Sequence, residues 1–314
     1  MHPALSVIFF TVISGAGYGL FMLLALAGLF NGLVTSSLGT VATVIGLVMV
    51  SIGLASSTLH LANPKNAWRA FSRFRTSWLS REGVFAVLFY PPAILYGLVW
   101  WMEGDTHAGW WIVLSIVIFA GALITVFSTG MIYACLKTIR QWNTPITPAN
   151  YIFISLMHGA LLFLYLYMYT TEETTALAAL ATTALTAVFL AWMVKMIYYG
   201  WVGKPSGPSI NTATGFNRAT VRLLDIGHSG DNFLTQEFSF VVSPGRITIL
   251  RIVSTILAFV VPGLAVGAVL GGYGQTLTAG LGFVFSLLGV LIERWLFFAE
   301  ARHVVNLYHG AQRT

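Results

Sequence analysis

Charge and cysteine are both scarce in this sequence. Only 8% of the 314 residues are Asp, Glu, Lys or Arg, whereas a soluble globular domain carries about a quarter. The lone cysteine, Cys135, excludes a disulfide within the chain and an iron–sulfur cluster held by four thiolates of this chain. Walker, HExxH and CxxC motifs are also missing. These gaps argue against chemistry on a soluble substrate by this chain alone, and no metal ligand is predicted.

Long apolar runs dominate the chain instead. Hydrophobic residues make up 57% of it and the mean hydropathy is +0.81. Several runs exceed the roughly 20 residues that a helix needs to cross a bilayer. The sequence therefore predicts an all-α integral membrane protein, a single membrane-anchor domain over residues 1–314 with eight transmembrane helices. The predicted spans are residues 5–30, 38–62, 83–102, 109–135, 149–170, 175–201, 247–271 and 277–300.

The basic residues all lie on one predicted side of the membrane. An even number of spans places both termini on that side, together with the connections 63–82, 136–148 and 202–246. None of the 16 Lys and Arg residues falls in the opposite connections, which carry Glu103, Asp105, Glu172 and Glu173. Because Lys and Arg concentrate in cytoplasmic loops, we expect a multi-pass protein of the cytoplasmic (inner) membrane with both termini in the cytoplasm. This topology explains the excess of basic residues, so no nucleic-acid partner is needed to account for it.

The polar stretch between spans 2 and 3 holds the most distinctive pattern. It reads SSTLHLANPKNAWRAFSRFRTSWLSREG from Ser56 to Gly83. Aromatic residues recur in it at helical spacing, while Arg69 and Arg73 lie mostly away from that aromatic face. This pattern predicts a short interfacial amphipathic helix. These aromatic residues are Trp68, Phe71, Phe74 and Trp78. We expect the loops 63–82 and 202–246 to dock soluble partner subunits.

His60 and Glu82 stand at adjacent ends of spans 2 and 3 and form a candidate quinone site. Quinone chemistry moves two electrons and two protons, so the protein must hydrogen-bond the ring oxygens and exchange protons there. A His can donate to a ring oxygen and carry a proton near neutral pH, and a carboxyl group at a helix end can act as a proton relay. The alternative is that the two are separate interfacial residues.

Span 1 carries the small-residue motif SGAGYG, from Ser14 to Gly19. Gly15 and Gly19, four residues apart, predict close contact with a neighbouring helix. The same small residues could leave room for a flat ring beside Tyr18.

Other ionisable residues keep two rival functions open. His158 in span 5 could join His60 as the ligands of a b-type haem, or it could be a polar group satisfied between helices. A transporter would need ionisable groups near the bilayer midplane, where the sequence offers only His158. We expect Lys195 to reach the interface, and Glu293 to pair with Arg294 near the surface, where such a pair contributes little.

The segment from His60 to Glu82 resembles the membrane anchors of DmsC type. His60 is followed by Leu-Ala-Asn-Pro64, then by AWRAF, and then by SWLSRE, which ends at Glu82. The His, the Pro and the Glu match the pattern of that family. The resemblance extends over the whole chain, through eight spans and a long sixth connection. Within the family, MHPALSVIFF, SGAGYG and SSTLHL are most similar to the anchors of cytoplasmic sulfite-oxidising (sulfite:quinone) enzymes, the SoeC type.

The resemblance implies a haem-free, quinone-binding anchor in an oxidoreductase complex of three subunits. One partner would carry a molybdenum bis-guanine-dinucleotide cofactor, and a ferredoxin-like partner would carry four [4Fe–4S] clusters. Electrons from sulfite oxidation would then reach a ubiquinone or menaquinone. His60 and Glu82 become the quinone-binding and proton-relay residues, and we add Arg69, Arg81 and Tyr18 as neighbours. The alternative is electron transfer in the opposite direction, in which the anchor oxidises quinol for a sulfoxide-type reductase.

Overall fold

The computed structural model describes residues 3–30, 33–59, 63–103, 109–172, 174–202, 207–216, 218–225, 230, 237–238 and 240–314. Within these residues, eight helices are long and apolar enough to cross a membrane. With the short α7, the helices are α1 (Leu5–Ala27), α2 (Ser36–Thr58), α3 (Trp78–Trp101), α4 (Gly109–Ala134), α5 (Ile146–Thr170), α6 (Leu177–Val202), α7 (Ile210–Thr214), α8 (Pro244–Leu270) and α9 (Thr276–Ala299). The predicted all-α bundle of eight transmembrane helices is confirmed.

Helix α3 begins at Trp78, whereas the sequence predicts this span from residue 83. Ser77 has an extended backbone, and its side chain accepts a hydrogen bond from the backbone N–H of Ser80 (3.4 Å). A serine in this position caps a helix, so α3 includes the polar residues that precede the apolar run. Glu82 consequently lies in the second turn of the helix, among neighbouring helices, and not in a loop.

Helix α1 occupies a central position and packs against α2, α4, α5 and α9. Its closest approach is to α5. A Cβ atom on Gly19 would overlap the carbonyl group of Ser155, and one on Gly159 would overlap the backbone of Gly19. A Cβ atom on Gly15 would lie 3.0 Å from Ser155 Oγ. The close helix contact predicted from SGAGYG is confirmed.

A second apolar core lies mainly between α5, α6, α8 and α9. Helix α8 is locally a π-helix at Ile256–Val260, and α9 approaches it there. Ser286 Oγ donates a hydrogen bond to the carbonyl oxygen of Ala258 (3.2 Å), and a Cβ atom on Gly289 would overlap the backbone of Ala258. The π-helical segment of α8 therefore lies where the backbones of α8 and α9 are in close contact.

Three segments at one end of the bundle are joined by hydrogen bonds; we call residues 135–145, 207–216 and 300–314 the loop face. The backbone N–H of Val304 donates to Thr138 O (3.1 Å), and that of Ile210 donates to Gln312 O (3.1 Å). Trp142 Nε1 donates to Phe297 O at the end of α9 (2.9 Å). The connection after α4, the start of α7 and the C-terminal tail thus form one surface.

The connection between α2 and α3 contains a helix at Pro64–Arg73, which we call the loop helix. It is a 3-10 helix, in which side chains three residues apart eclipse each other. Trp68 and Phe71 are 65% and 43% exposed, so large apolar rings remain outside the protein core. The short amphipathic helix expected here is present, in the tighter 3-10 form.

Candidate functional site

Glu82 is buried near the loop-face end of α3. The residue is 5% exposed, and its carboxylate accepts a hydrogen bond from the hydroxyl group of Thr129 on α4. The Thr129 hydroxyl also lies 3.1 Å from the carbonyl oxygen of Thr125, which holds it in place. A carboxylate can accept about four hydrogen bonds, so Glu82 keeps capacity for a further donor.

Tyr18 on α1 faces α3. The residue is 2% exposed, and its ring meets the ring of Phe89 on α3 edge to face, with centroids 5.2 Å apart. Its hydroxyl group is within electrostatic reach of Glu82 and has no hydrogen-bond partner among the described residues. A buried polar group left without a partner costs about 1–3 kcal/mol, which favours a ligand oxygen or a water molecule as the missing partner.

Two further tyrosines extend this site away from α3. Tyr133 lies one turn after Thr129 on α4, and its ring stacks on that of Tyr151 on α5 with centroids 5.8 Å apart. Both tyrosines are within electrostatic reach of Glu82. Sequence patterns do not single them out, because aromatic residues are frequent throughout these spans and only helix packing brings this pair together.

The two arginines that the sequence assigns to the site lie in the first turn of α3 and on the loop helix. Arg81 donates from Nε to Phe74 O (3.0 Å) and from Nη2 to Arg75 O (2.8 Å). Arg69 is exposed on the loop helix. Neither arginine forms an ion pair with Glu82 in the part of the sequence that the structure describes. His60 lies outside the described residues, so its place in the site stays a prediction.

Replacing Arg81 by Gln should loosen the segment between the loop helix and α3, because two backbone carbonyl groups lose their charged donor. These hydrogen bonds are exposed, so we expect a loss of about 1 kcal/mol. Hydrogen exchange of the amides at residues 74–80 should accelerate about fivefold. Arg69→Gln is the matched control and should leave the exchange unchanged. Equal exchange in the two variants would contradict this role of Arg81.

The protein matches a known family over nearly its whole length. Residues 1–299 match the family model described as DMSO reductase anchor subunit (DmsC). The chain belongs to the DmsC family. It is 32% identical to the C subunit of the sulfite dehydrogenase of Allochromatium vinosum, over 98% of this chain and 99% of that protein. It is also 28% identical to the C component of the anaerobic dimethyl sulfoxide reductase of Escherichia coli, over 49% of this chain and 54% of that one. The resemblance drawn from the sequence is confirmed.

A second buried group of ionisable residues lies elsewhere in this DmsC-family protein. Lys195 on α6 is 1% exposed, and Glu293 and Arg294 on α9 are 0% and 2% exposed. Lys195 Nζ contacts Glu293 Oε1, and Arg294 Nε lies 3.3 Å from Glu293 Oε2. Two expectations from the sequence are therefore wrong: Lys195 does not reach the interface, and Glu293 and Arg294 do not pair near the surface.

The distance of these residues from the helix ends explains why they are buried and do not reach the interface. Lys195 lies seven residues before Val202, the last residue of α6, and Glu293 lies six before Ala299, the last residue of α9. At 1.5 Å per residue, both are about 10 Å inside the helix ends. The ammonium group therefore has a carboxylate nearer than water. Lone ionisable residues at such depth in apolar spans are the signal that could have identified the group.

His158 lies beside this second group. It is 1% exposed in the middle of α5, its ring centroid is 6.1 Å from that of Phe283, and it is within electrostatic reach of Glu293 and Arg294. His158 is therefore not the only buried ionisable residue within the described spans, but it lies nearer the middle of its helix than Lys195 and Glu293 do. The haem pairing with His60 stays a prediction, because His60 lies outside the described residues.

Proposed function

We propose that this protein is the haem-free, quinone-reactive membrane anchor of a three-subunit molybdenum and iron–sulfur oxidoreductase that oxidises sulfite. The observation that carries the proposal is a buried carboxyl group, Glu82 on α3, together with a buried hydroxyl group on α1, Tyr18, that has no hydrogen-bond partner among the described residues. Glu82 lies near the loop-face end of α3, and Tyr18 lies near the middle of α1. A quinone presents ring oxygens that need hydrogen-bond donors and a group that exchanges protons.

The described residues fit such a ligand. When bound, a quinone accepts two electrons and two protons. Tyr18 would donate its unused hydroxyl proton to one ring oxygen, and Glu82, oriented by Thr129, would pass a proton to the ring. Phe89, whose ring is in edge contact with Tyr18, would supply an apolar wall. His60 remains the expected second donor, and Arg69 and Arg81 the expected outer neighbours.

The position of this site supports the proposed partners and orientation. Glu82 lies at the end of the bundle that carries the loop helix, so a ferredoxin-like subunit docked on that end and on the loop 202–246 would bring an iron–sulfur cluster close to the quinone. A molybdopterin subunit would complete the complex. The relative from A. vinosum is named as part of a sulfite dehydrogenase, which supports sulfite as the reductant. The concentration of Lys and Arg at this end supports a cytoplasmic location.

Purification of the complex through a tag on this protein tests the proposal. We expect molybdenum and about sixteen irons per complex, without a b-haem band, and sulfite-dependent reduction of a quinone analogue. A haem band would contradict the haem-free site and make His158 a ligand candidate. A protein that purifies alone and without metal would contradict the anchor role and favour a transporter.

The second candidate is quinol oxidation coupled to reduction of a sulfoxide. The match to the component of the E. coli dimethyl sulfoxide reductase favours it, although that match covers only 49% of this chain. Quinone reduction and quinol oxidation would exchange the same two protons at Glu82, so the same anchor residues would serve electron transfer in either direction. Assays of the purified complex with sulfite and quinone, and then with quinol and dimethyl sulfoxide, separate the two candidates.

A further inference from the structure

A cavity of about 630 Å³ lies at the loop face and is lined in part by Arg251 and Glu300. Two hydrogen bonds join these residues, from Arg251 Nε to Glu300 Oε1 (2.8 Å) and from Arg251 Nη2 to Glu300 Oε2 (2.9 Å). The Arg251 side chain is 29% exposed and that of Glu300 is 7% exposed. This ion pair therefore lies where the protein interior meets the aqueous phase.

Tyr199 connects this ion pair to the second buried group. The guanidinium carbon of Arg251 lies 4.8 Å from the centroid of the Tyr199 ring, and Lys195 Nζ lies 4.6 Å from the same centroid. Lys195 in turn contacts Glu293. Ionisable groups thus follow one another from the cavity to Glu293, with the ring of Tyr199 in contact with both Arg251 and Lys195.

Arg294 continues this succession toward α5. Its Nε atom lies 3.3 Å from Glu293 Oε2, and its guanidinium carbon lies 3.8 Å from the centroid of the Tyr151 ring. Tyr151 stacks on Tyr133. The positive charge of Arg294 is therefore held between a carboxylate and an aromatic face, both of which stabilise it.

Thr129 and Tyr133 are four residues apart and so lie on the same face of α4, and Thr129 donates to the carboxylate of Glu82. The whole succession runs from α8 and the loop face through α6, α9, α5 and α4 to α3. We call it the polar row, and its members are Glu300, Arg251, Tyr199, Lys195, Glu293, Arg294, Tyr151, Tyr133, Thr129 and Glu82.

Packing alone does not account for the polar row. Burying an ion costs several kcal/mol even after relaxation, and apolar residues of the same volume are often at least as stabilising. Ionisable groups inside membrane spans are typical of proton relays and of ion or substrate paths. The polar row starts at an aqueous cavity and ends at Glu82, the carboxyl group that the proposed function requires to exchange protons.

We propose that the polar row conducts protons between the cavity at the loop face and Glu82, with Glu293 as its central proton-exchanging group. This inference rests on the proposed quinone function. The arginines stay protonated and act through their position. The carboxyl, ammonium and hydroxyl groups, with water molecules between them, exchange the protons.

The proton balance is simple. Each quinone reduced to quinol takes two electrons from the iron–sulfur partner and two protons from the aqueous phase. Each proton that enters at Glu300 is matched by one that leaves at Glu82, so every group of the row returns to its starting protonation state. Quinol oxidation would run the same path in reverse.

Glu293→Gln tests this inference in the intact complex, because Gln keeps the size of the side chain but cannot take up a proton. We expect kcat for sulfite-dependent quinone reduction to fall at least about tenfold, with an unchanged KM for quinone and a larger solvent deuterium isotope effect. The loss should grow as the pH rises, because proton supply becomes limiting. Oxidation of sulfite with a soluble dye should not change.

The groups that surround Glu293 bear on this pH dependence. Besides Arg294 on its own helix, they are His158 and Tyr151 from α5, Lys195, Tyr198 and Tyr199 from α6, and the ion pair of Arg251 on α8 with Glu300. Because several of them can titrate, the prediction concerns the change in the pH profile between variant and wild type, measured under identical conditions.

Tyr151→Phe keeps the stacked ring beneath Arg294 and removes only the hydroxyl group, so the variant should fold normally. It should change the solvent isotope effect and the pH profile in the same direction as Glu293→Gln does. If Glu293→Gln fails to assemble, Tyr151→Phe decides the question by itself. Glu172→Gln, exposed after α5 at the opposite end, is the control and should behave as wild type.

An unchanged pH profile and isotope effect in Tyr151→Phe and in an assembled Glu293→Gln, with a wild type that reduces quinone, would overturn the polar row alone. Protons would then reach Glu82 directly beside the loop helix. A wild-type complex that does not reduce quinone would instead overturn the proposed function, and so the two failures are distinguishable.

Discussion

Replacing Glu82 by Gln should lower sulfite-dependent quinone reduction at least about 100-fold, the range expected when a general acid or base is removed. Gln retains a carbonyl oxygen that can accept the hydrogen bond from Thr129, so the local packing of α3 on α4 should survive. The variant cannot exchange a proton with a ring oxygen. Sulfite oxidation with a soluble dye, which needs only the partner subunits, should be unchanged in the same preparation.

Glu103→Gln provides the matched control for this variant. Glu103 follows Met102, the C-cap at the other end of α3, and is exposed, so its replacement changes the same charge without touching the site. It should leave both activities at the wild-type level. Parallel loss of quinone and dye activities in Glu82→Gln would indicate an assembly defect. Full quinone activity would assign Glu82 a purely structural role as the acceptor for Thr129.

Replacing Gly159 by Ala should disrupt the bundle at its centre. The new methyl group would overlap the backbone of Gly19 on α1, and a backbone has no rotamer into which it can move away. Overpacking typically costs about 1–3 kcal/mol, and we expect the upper end of this range. The Tm of the purified protein in detergent should fall by roughly 5–10 °C, with a lower yield of assembled complex.

Gly267→Ala separates this packing effect from helix propensity. Gly267 lies inside α8 with no atom within 4 Å of an added Cβ. Both substitutions gain about 1 kcal/mol of helix propensity, so only the clash distinguishes them. The Tm of Gly267→Ala should be unchanged or slightly higher. Similar stability of the two variants would show that α1 and α5 can move apart without loss of stability, which would contradict the close contact of these helices at Gly19 and Gly159.

Local patterns account for the bundle and for the choice of Glu82. Hydropathy marks each span because a helix in lipid needs a continuous apolar run, and the cap at Ser77 shifts the start of α3 by only a few residues. Glu82 is recognisable because an ionisable residue at the end of a span is rare. The role of Glu82, Tyr18 and His60 at a quinone stays a prediction.

Composition and short segments are enough to predict the all-α class, the number of spans, the family and the candidate carboxyl group. The side chains that surround this carboxyl group depend instead on how the helices pack. Lys195 and Glu293 are 98 residues apart in sequence, and their contact depends on how α6 and α9 pack. Side chains on different helices meet through rotation and depth of the helices, which no local pattern specifies. The second buried group is therefore apparent only in three dimensions.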